Sequence, residues 1–274
     1  MTMAAAHQPQ TEDTEKPLFG GTANRGLVVR IGNTVRRPVR ATSASTHALL
    51  LHLADVGFTG APRFLGIDGQ GREVLSYVPG EAVTPPYPGW ALTDEALDSV
   101  VQLLHEYHDA VSTFKPAGHA WPRAVPPPFR SGVVSHNDPN LDNIVFRDGR
   151  AVALIDFDLA GPGSVVWDVA ATARLWAPLR LDRYIADARR GRALSRLRRI
   201  VDVYRLTEAD RALVPQAVLC NHDWCYDIVR RGAEAGHAGF AAYWAQHKQR
   251  TRHMRQWYVR NMDMLRAAVM TMDG

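Results

Sequence analysis

Three polar side chains, His136, Asp138 and Asn143, follow one another in the order H-x-D-x-x-x-x-N. Val133-Val134 leads into this stretch and Ile144-Val145-Phe146 leads out, so two short strands should hold a polar loop between them. A further apolar run, Ala151 to Ile155, delivers Asp156 and then Asp158. One Asp able to contact an attacking hydroxyl, with an Asn and a second Asp able to hold Mg²⁺ against nucleotide phosphates, is the parts list of a phosphoryl-transfer site. The plainer alternative is a polar loop whose Asp and Asn side chains cap turns. Average residue usage places one such pattern in a chain of 274 residues roughly one time in a hundred. Flanking strands and a strand-borne Asp soon afterwards favour the chemical reading further.

The loop Asp and the following Asp stand 18 residues apart (156 − 138). Protein kinases carry H-R-D-L-x-x-x-N and then D-F-G, where this chain has Asp156-Phe157-Asp158. His136 to Asn143 and Ile155 to Asp158 resemble the H-x-D-x-x-x-x-N and I-D-x-D motifs of the aminoglycoside phosphotransferase family, small-molecule kinases with a protein-kinase-like fold.

The resemblance covers roughly residues 18–270 and implies an α+β, two-lobed fold. A small antiparallel-sheet lobe with one helix (residues 17–79) would bind nucleotide. A larger, mainly helical lobe (residues 80–274) would carry catalysis and substrate binding, with the hinge at Pro79-Gly80. The implied reaction moves the γ-phosphoryl group of ATP, GTP not being excluded, to a hydroxyl of a small molecule such as an antibiotic, an amino alcohol or a sugar. Asp138 would take the hydroxyl proton, His136 would shape the loop, and Asn143 with Asp156 would hold Mg²⁺. Asp168 would brace the loop, and backbone groups near Ser76 to Val78 would bond the adenine.

One departure stands out. Kinase-like enzymes place a strand lysine on the α- and β-phosphates and pair it with a helix Glu. No lysine occurs between Lys16 and Lys115, and the helix that should offer the Glu offers only His47 or His52. Arg37, or failing that Arg36, can take the phosphate role, since arginine keeps its charge and meets phosphate bidentately. The missing pair also admits a second class of function: a degraded kinase-like protein that binds nucleotide or sequesters a compound, in an immunity or regulatory role.

The elements that must position these residues can be read in order. Residues 1–16 are small and polar, without periodicity, as expected of a disordered tail. Strands are expected at Leu18-Phe19, Leu27 to Ile31, Thr34 to Arg37, Pro62 to Ile67 and Glu73 to Val78, with the turn Gly20 to Gly26 over the phosphates. Helices are expected over Thr42 to Val56, Asp94 to Phe114, Ser164 to Trp176, Arg180 to Arg205, Glu208 to Gly232 and Gly239 to Met270. Leu97, Val101, Leu104 and His108 share one face of the second, Thr93 caps it, and Thr207 with Asp210 starts the fifth.

Composition narrows the classes. Apolar content of 46% and charge of 22% are those of a globular chain, and no apolar run approaches a membrane span. No basic region followed by an apolar core marks a signal peptide, and Cys220 and Cys225 suit a reducing, cytoplasmic setting, the protein acting as monomer or homodimer. The net charge is +4, yet no nucleic-acid motif accompanies it, so a nucleic-acid partner is not expected. Polycationic acceptors would want an acidic cleft. Asp223 and Asp227, four residues apart on one helix face, could receive an amine together or serve as partners of Arg230 and Arg231. A neutral or weakly charged hydroxyl compound fits the overall charge at least as well.

Overall fold

In the computed structural model of the chain, residues 14–18 and 27–271 are described. The expected turn at Gly20 to Gly26 lies outside them, as do residues 1–13 of the expected tail. Of the rest of that tail, Glu15 pairs with Arg72 at 2.9 Å and Lys16 already belongs to the first strand.

The N-terminal sheet is antiparallel throughout. It comprises β1 (Lys16–Pro17), β2 (Val29–Ile31), β3 (Thr34–Pro38), β4 (Phe64–Ile67) and β5 (Arg72–Ser76), ordered β1-β2-β3-β5-β4. Between β3 and β4 runs α1 (Ser43–Asp55), whose Leu49, Leu50 and Leu53 are buried. The Gly32-Asn33 turn joins β2 to β3 with Gly32 at φ 55°, a left-handed conformation that glycine adopts without steric cost.

After β6 (Glu81–Ala82) the chain becomes mainly helical. Thr93 accepts from the Ala96 amide at 3.1 Å and starts α2 (Asp94–Val111). The expected face of α2 is fully buried: Leu97 and Val101 are 0% exposed, Leu104 1% and His108 4%. Burying each of the three aliphatic side chains stabilises the fold by about 1.5–3 kcal/mol before entropy is set against it. Four strands follow: β7 (Val133–Ser135), β8 (Ile144–Arg147), β9 (Arg150–Leu154) and β10 (Gly161–Gly163). β6, β8 and β9 form one small sheet, and β10 pairs with β7.

The remaining helices are α3 (Val165–Trp176), α4 (Ala193–Tyr204), α5 (Glu208–Glu234), α6 (Ala238–Arg260) and α7 (Met262–Met270). Thr207 Oγ1 accepts from the Asp210 amide at 3.2 Å and donates to its carboxylate at 2.7 Å, the expected start of α5. Two expected helices differ from those found. Residues 180–192 are not α-helical, because Gly191 turns at φ 77° and Arg189 folds back on Asp187, so only 193–204 form a helix. The last long helix breaks at Asn261, whose side chain donates to the Trp257 carbonyl at 2.7 Å and leaves α6 and α7 as separate helices. The core at the centre of this region contains the fully buried Tyr107, Phe146, Phe157, Trp167 and Trp176. Among the described residues, no helix is long and apolar enough to cross a membrane.

Candidate active site

Strand register brings the motif residues together. In the β8–β9 hairpin Ile144 faces Leu154, and beyond it the Ile155 amide donates to the Asn143 carbonyl at 2.9 Å. Asn143 at the head of one strand and Asp156 at the foot of the other are therefore neighbours by construction. Asn143 Nδ2 donates to the Asp138 carbonyl at 2.9 Å and to its carboxylate at 3.0 Å, which brings the third motif residue in. Asn140 Nδ2 holds the other carboxylate oxygen at 2.5 Å.

The loop between β7 and β8 is clamped from beneath by Asp168. This carboxylate is 0% exposed, sits in the first turn of α3, and accepts from the His136 amide at 2.6 Å and the Asn137 amide at 2.8 Å. His108 of α2 adds a contact to it at 3.1 Å while touching Tyr204 Oη at 2.6 Å. A buried carboxylate met by two amides and an imidazole is charge-assisted hydrogen bonding in a medium of low dielectric, which fixes loop geometry strongly. Trp176 Nε1 grips the Pro139 carbonyl at 2.9 Å, and Tyr107 Oη grips Val134 at 3.0 Å. The pairing of β10 with β7 needs Gly163, since a Cβ there would lie 2.2 Å from Ser135 Oγ.

Two non-glycine residues at the site are left-handed: Asn137 at φ 69° and Asp156 at φ 61°. Such conformations cost of order 1 kcal/mol or more and persist where surrounding contacts over-determine them. Here Asn137 is anchored by Asp168 and by its own Nδ2 on the Leu159 carbonyl at 2.7 Å.

His136 is fully buried, with Nε2 at 3.0 Å from the Ile155 carbonyl and Nδ1 facing the Asp138 amide at 3.3 Å. A carbonyl on one side and an amide on the other fit the neutral ring protonated at Nε2, and burial pushes its pKa below the ordinary histidine value. Asp138 is raised to about 7, first by burial and then by the charges of Asp156 and Asp142. Asp156 is also raised, by burial and by neighbouring Asp158, with Arg37 opposing both. Asp142 is raised by burial.

Arg37 occupies the place expected of the strand lysine. Its Nε lies 2.5 Å from Glu73 Oε1, and its Nη1 lies 3.1 Å from Asp156 Oδ1 and 2.9 Å from Asp158 Oδ1. Burial disfavours this cation, but Asp158, Asp156 and Glu73 together raise its pKa above the ordinary arginine value. The pairing carboxylate thus comes from β5, not from α1. Glu73 stands directly across from Arg37 in the antiparallel register, and His47 of α1 approaches its second oxygen at 2.6 Å while stacking on Phe64. An acid and a base at matching positions of adjacent strands was the available signal, legible only once the strand pairing was known.

Other expected site residues fall elsewhere. Strand alternation turns Arg36 to the opposite face, where its nearest carboxylate is Asp68 at 3.5 Å. The Ser76 amide is used by the Arg63 carbonyl and its hydroxyl by the Arg63 amide, and the Tyr77 amide by the Asn33 carbonyl. Among the described residues the Val78 backbone takes no part in these turn and loop hydrogen bonds. Asp223 and Asp227 do not form a free acidic pair. Asp227 is held by Arg123, Arg230 and Arg231, and its pKa is lowered to about 2 by those arginines against the opposing effect of burial. Asp223 is held by Arg255 at 2.9 Å and His222 at 3.0 Å. The many arginines of the C-terminal helices claim both.

Two oxygens suit a hard cation. Asn143 uses its side-chain nitrogen Nδ2 in both contacts to Asp138, which leaves Oδ1 available, and Asp156 turns only Oδ1 to Arg37. Two protein oxygens beside the Arg37 guanidinium fit Mg²⁺, which keeps waters and substrate phosphates as its other ligands. No cluster of three or more His, Cys, Asp or Glu poised around a metal occurs among the described residues.

A model of the phosphotransferase enzyme family matches residues 116–205, which include the whole catalytic loop and Asp168. The chain is 34% identical over 203 residues to the trifolitoxin immunity protein of Rhizobium leguminosarum bv. trifolii, covering 71% of this chain and 75% of that one. A choline/ethanolamine kinase family protein from Mesorhizobium loti superimposes with a TM-score of 0.63 at 16% identity, over 95% of this chain and 94% of that one. The GDP complex of aminoglycoside 2'-phosphotransferase-IIIa superimposes with a TM-score of 0.59 at 14% identity, over 90% and 93% of the two chains. At such identities the two structures speak for the kinase-like fold alone.

Proposed function

The chain belongs to the phosphotransferase enzyme family of the aminoglycoside kinases, and from that premise we propose that it moves the γ-phosphoryl group of ATP to a hydroxyl of a small molecule. The observation that carries this reading is the convergence of Asp138, Asn143 and Asp156 on one locus beside Arg37. Asp138 takes the proton of the acceptor hydroxyl as that oxygen attacks phosphorus. Its pKa near 7 is matched to such a task at neutral pH, because a base poised there is ionised yet still accepts a proton. Neutral His136 holds the loop and leaves Asp138 as the base. Asn143 and Asp156 would hold Mg²⁺, which when bound neutralises charge on the phosphate oxygens. Arg37 is the phosphate contact, and Glu73 with His47 orients it. Val78 offers backbone groups for the base of the nucleotide. GTP in place of ATP uses the same residues.

A second reading is favoured by the name of the relative, an immunity protein: binding and sequestration of a toxic compound without turnover. One experiment separates the two. Thermal stabilisation by ATP should require Mg²⁺ and should be lost in Asp156→Ala, with a gain of about 2.7 kcal/mol at 100 times the dissociation constant. ADP release with a hydroxyl compound, abolished in Asp138→Asn, establishes transfer. Compound binding that is unchanged in Asp138→Asn, with no ADP formed, establishes sequestration. The absence of any nucleotide shift overturns the phosphotransferase reading.

A further inference from the structure

The wall that faces the catalytic loop, built from the end of α3, the segment after it, α5 and α6, holds cations that no acid neutralises. Arg174 is 9% exposed; its Nε donates to Asn221 Oδ1 at 2.9 Å and its Nη2 to Cys225 Sγ at 3.4 Å. Among the described residues no carboxylate lies within ion-pair distance of Arg174, Arg180 or Arg250, whereas Arg211, Arg230, Arg231 and Arg255 of α5 and α6 each have one. Arg180 Nε and Arg250 Nε are buried without a hydrogen-bond partner, as is Nδ2 of the fully buried Asn221.

These groups surround one place. Arg174 and Arg180 both lie within electrostatic reach of Tyr226 and Tyr258, and Arg180 also feels the like charge of Arg250. Tyr258 Oη fixes the segment that carries Arg180 by donating to the Leu179 carbonyl at 2.5 Å. Arg174 is in turn within reach of Asp138, and Tyr87 is within reach of both Arg180 and Asp142 of the catalytic loop. Trp176, two residues beyond Arg174 on α3, bonds the Pro139 carbonyl at 2.9 Å, so the cluster lies beside the loop that carries Asp138.

Burial opposes the charge of Arg174, yet Cys225, Tyr226, Tyr258 and, fourth among them, the carboxylate of Asp138 hold its pKa above the ordinary arginine value. Burial pushes the pKa of Cys225 and of Tyr258 up, so both are neutral at physiological pH and supply no counter-charge. Buried arginines without an acid are costly unless a ligand brings the charge. Arg189 nearby shows the satisfied alternative: it clasps Asp187 through two nitrogens, at 2.9 and 2.8 Å.

We propose that the phosphoryl acceptor carries an anionic group, a carboxylate or a phosphate, which seats on Arg174 and Arg180 and so presents the acceptor hydroxyl to Asp138. The guanidinium fork suits both anions by bidentate hydrogen bonding. This inference rests on the phosphotransferase reading for the role of Asp138, and it separates this site from one built for polycations.

The test uses the full chain, saturated with β,γ-imido-ATP and Mg²⁺. Thermal stabilisation is followed with glycerate, glycerol 3-phosphate, glycerol and choline at matched ionic strength. One or both anions should act at concentrations roughly tenfold below glycerol and choline. Their order tells carboxylate from phosphate. Arg180→Gln should erase the preference and leave the nucleotide shift intact, and Arg174→Gln should do the same. Arg180 is half-buried and outside the helices, so its substitution decides the matter if Arg174→Gln fails to fold. The proposal is overturned if choline or glycerol acts at the lower concentration, if neither anion stabilises, or if the anion effect survives Arg180→Gln. Failure of the phosphotransferase reading has a different signature, the loss of the nucleotide shift itself. In that event the anion series is read on the nucleotide-free protein and decides in the same way.

Discussion

The catalytic loop and the helical wall opposite it treat buried charge in contrary ways. Beneath the loop, Asp168 is fully buried and saturated by two amides and an imidazole. On the wall, Arg174 is nearly as buried and meets only an amide oxygen and a thiol. The first arrangement is closed: every bond is internal, and its product is a loop whose residues hold left-handed conformations in place. The second is open, with neutral acceptors for Arg174 and, among the described residues, no acid at ion-pair distance. Three buried donors on this wall, Arg180 Nε, Arg250 Nε and Asn221 Nδ2, have no hydrogen-bond partner among the described residues.

The comparison breaks most sharply at Asp168. Asp168→Ala strands two backbone amides and His108, and should cost about 3–5 kcal/mol of unfolding free energy in a denaturant titration. A loss under 1 kcal/mol would mean the loop is not held from beneath.

Asp138 tests the loop from its upper side. A carboxyl whose folded pKa lies above its unfolded value binds protons more readily when folded. Its contribution to stability is complete below about pH 4 and is lost as pH rises through about 7. Asp138→Asn should therefore raise stability by about 1–3 kcal/mol at pH 8 and by almost nothing at pH 4, read by melting at both. Turnover should fall by about 10²–10⁴-fold in the same variant. A gain equal at the two pH values would show that the carboxyl titrates normally.

The wall should answer with the opposite sign to Asp168. Arg174→Met replaces an uncompensated buried cation with an apolar chain of similar length, so the melting temperature should stay level or rise, by up to about 2 kcal/mol in stability. A clear loss of stability would place Arg174 among the internally satisfied groups and remove the contrast.

Much of this was legible beforehand. The H-x-D-x-x-x-x-N and I-D-x-D patterns carry chemistry in local spacing, and strand periodicity on either side is a local property too. The family, the kinase-like fold and the existence of α2 with its buried face followed from them. Helix ends read less well: Gly191 and Asn261 interrupt what hydrophobic periodicity alone would run together. Nothing in the spacing separates Arg37 from Arg36; alternation on β3 does, by turning the two to opposite faces.

What the sequence by itself determined was which polar groups share one locus, because their spacing along the chain is short and fixed by one loop and one hairpin. Tertiary structure decided the partners. Glu73 reaches Arg37 across strand pairing, and Asp168 reaches the loop from α3. Asp223 and Asp227, adjacent on one helix face, are claimed by arginines from other segments, among them Arg255 and Arg123. Arg174 and Arg180 remain without an acid for the same reason. Coulomb energy depends on distance in space, and which charges neutralise one another is settled only when segments far apart in the chain are packed together.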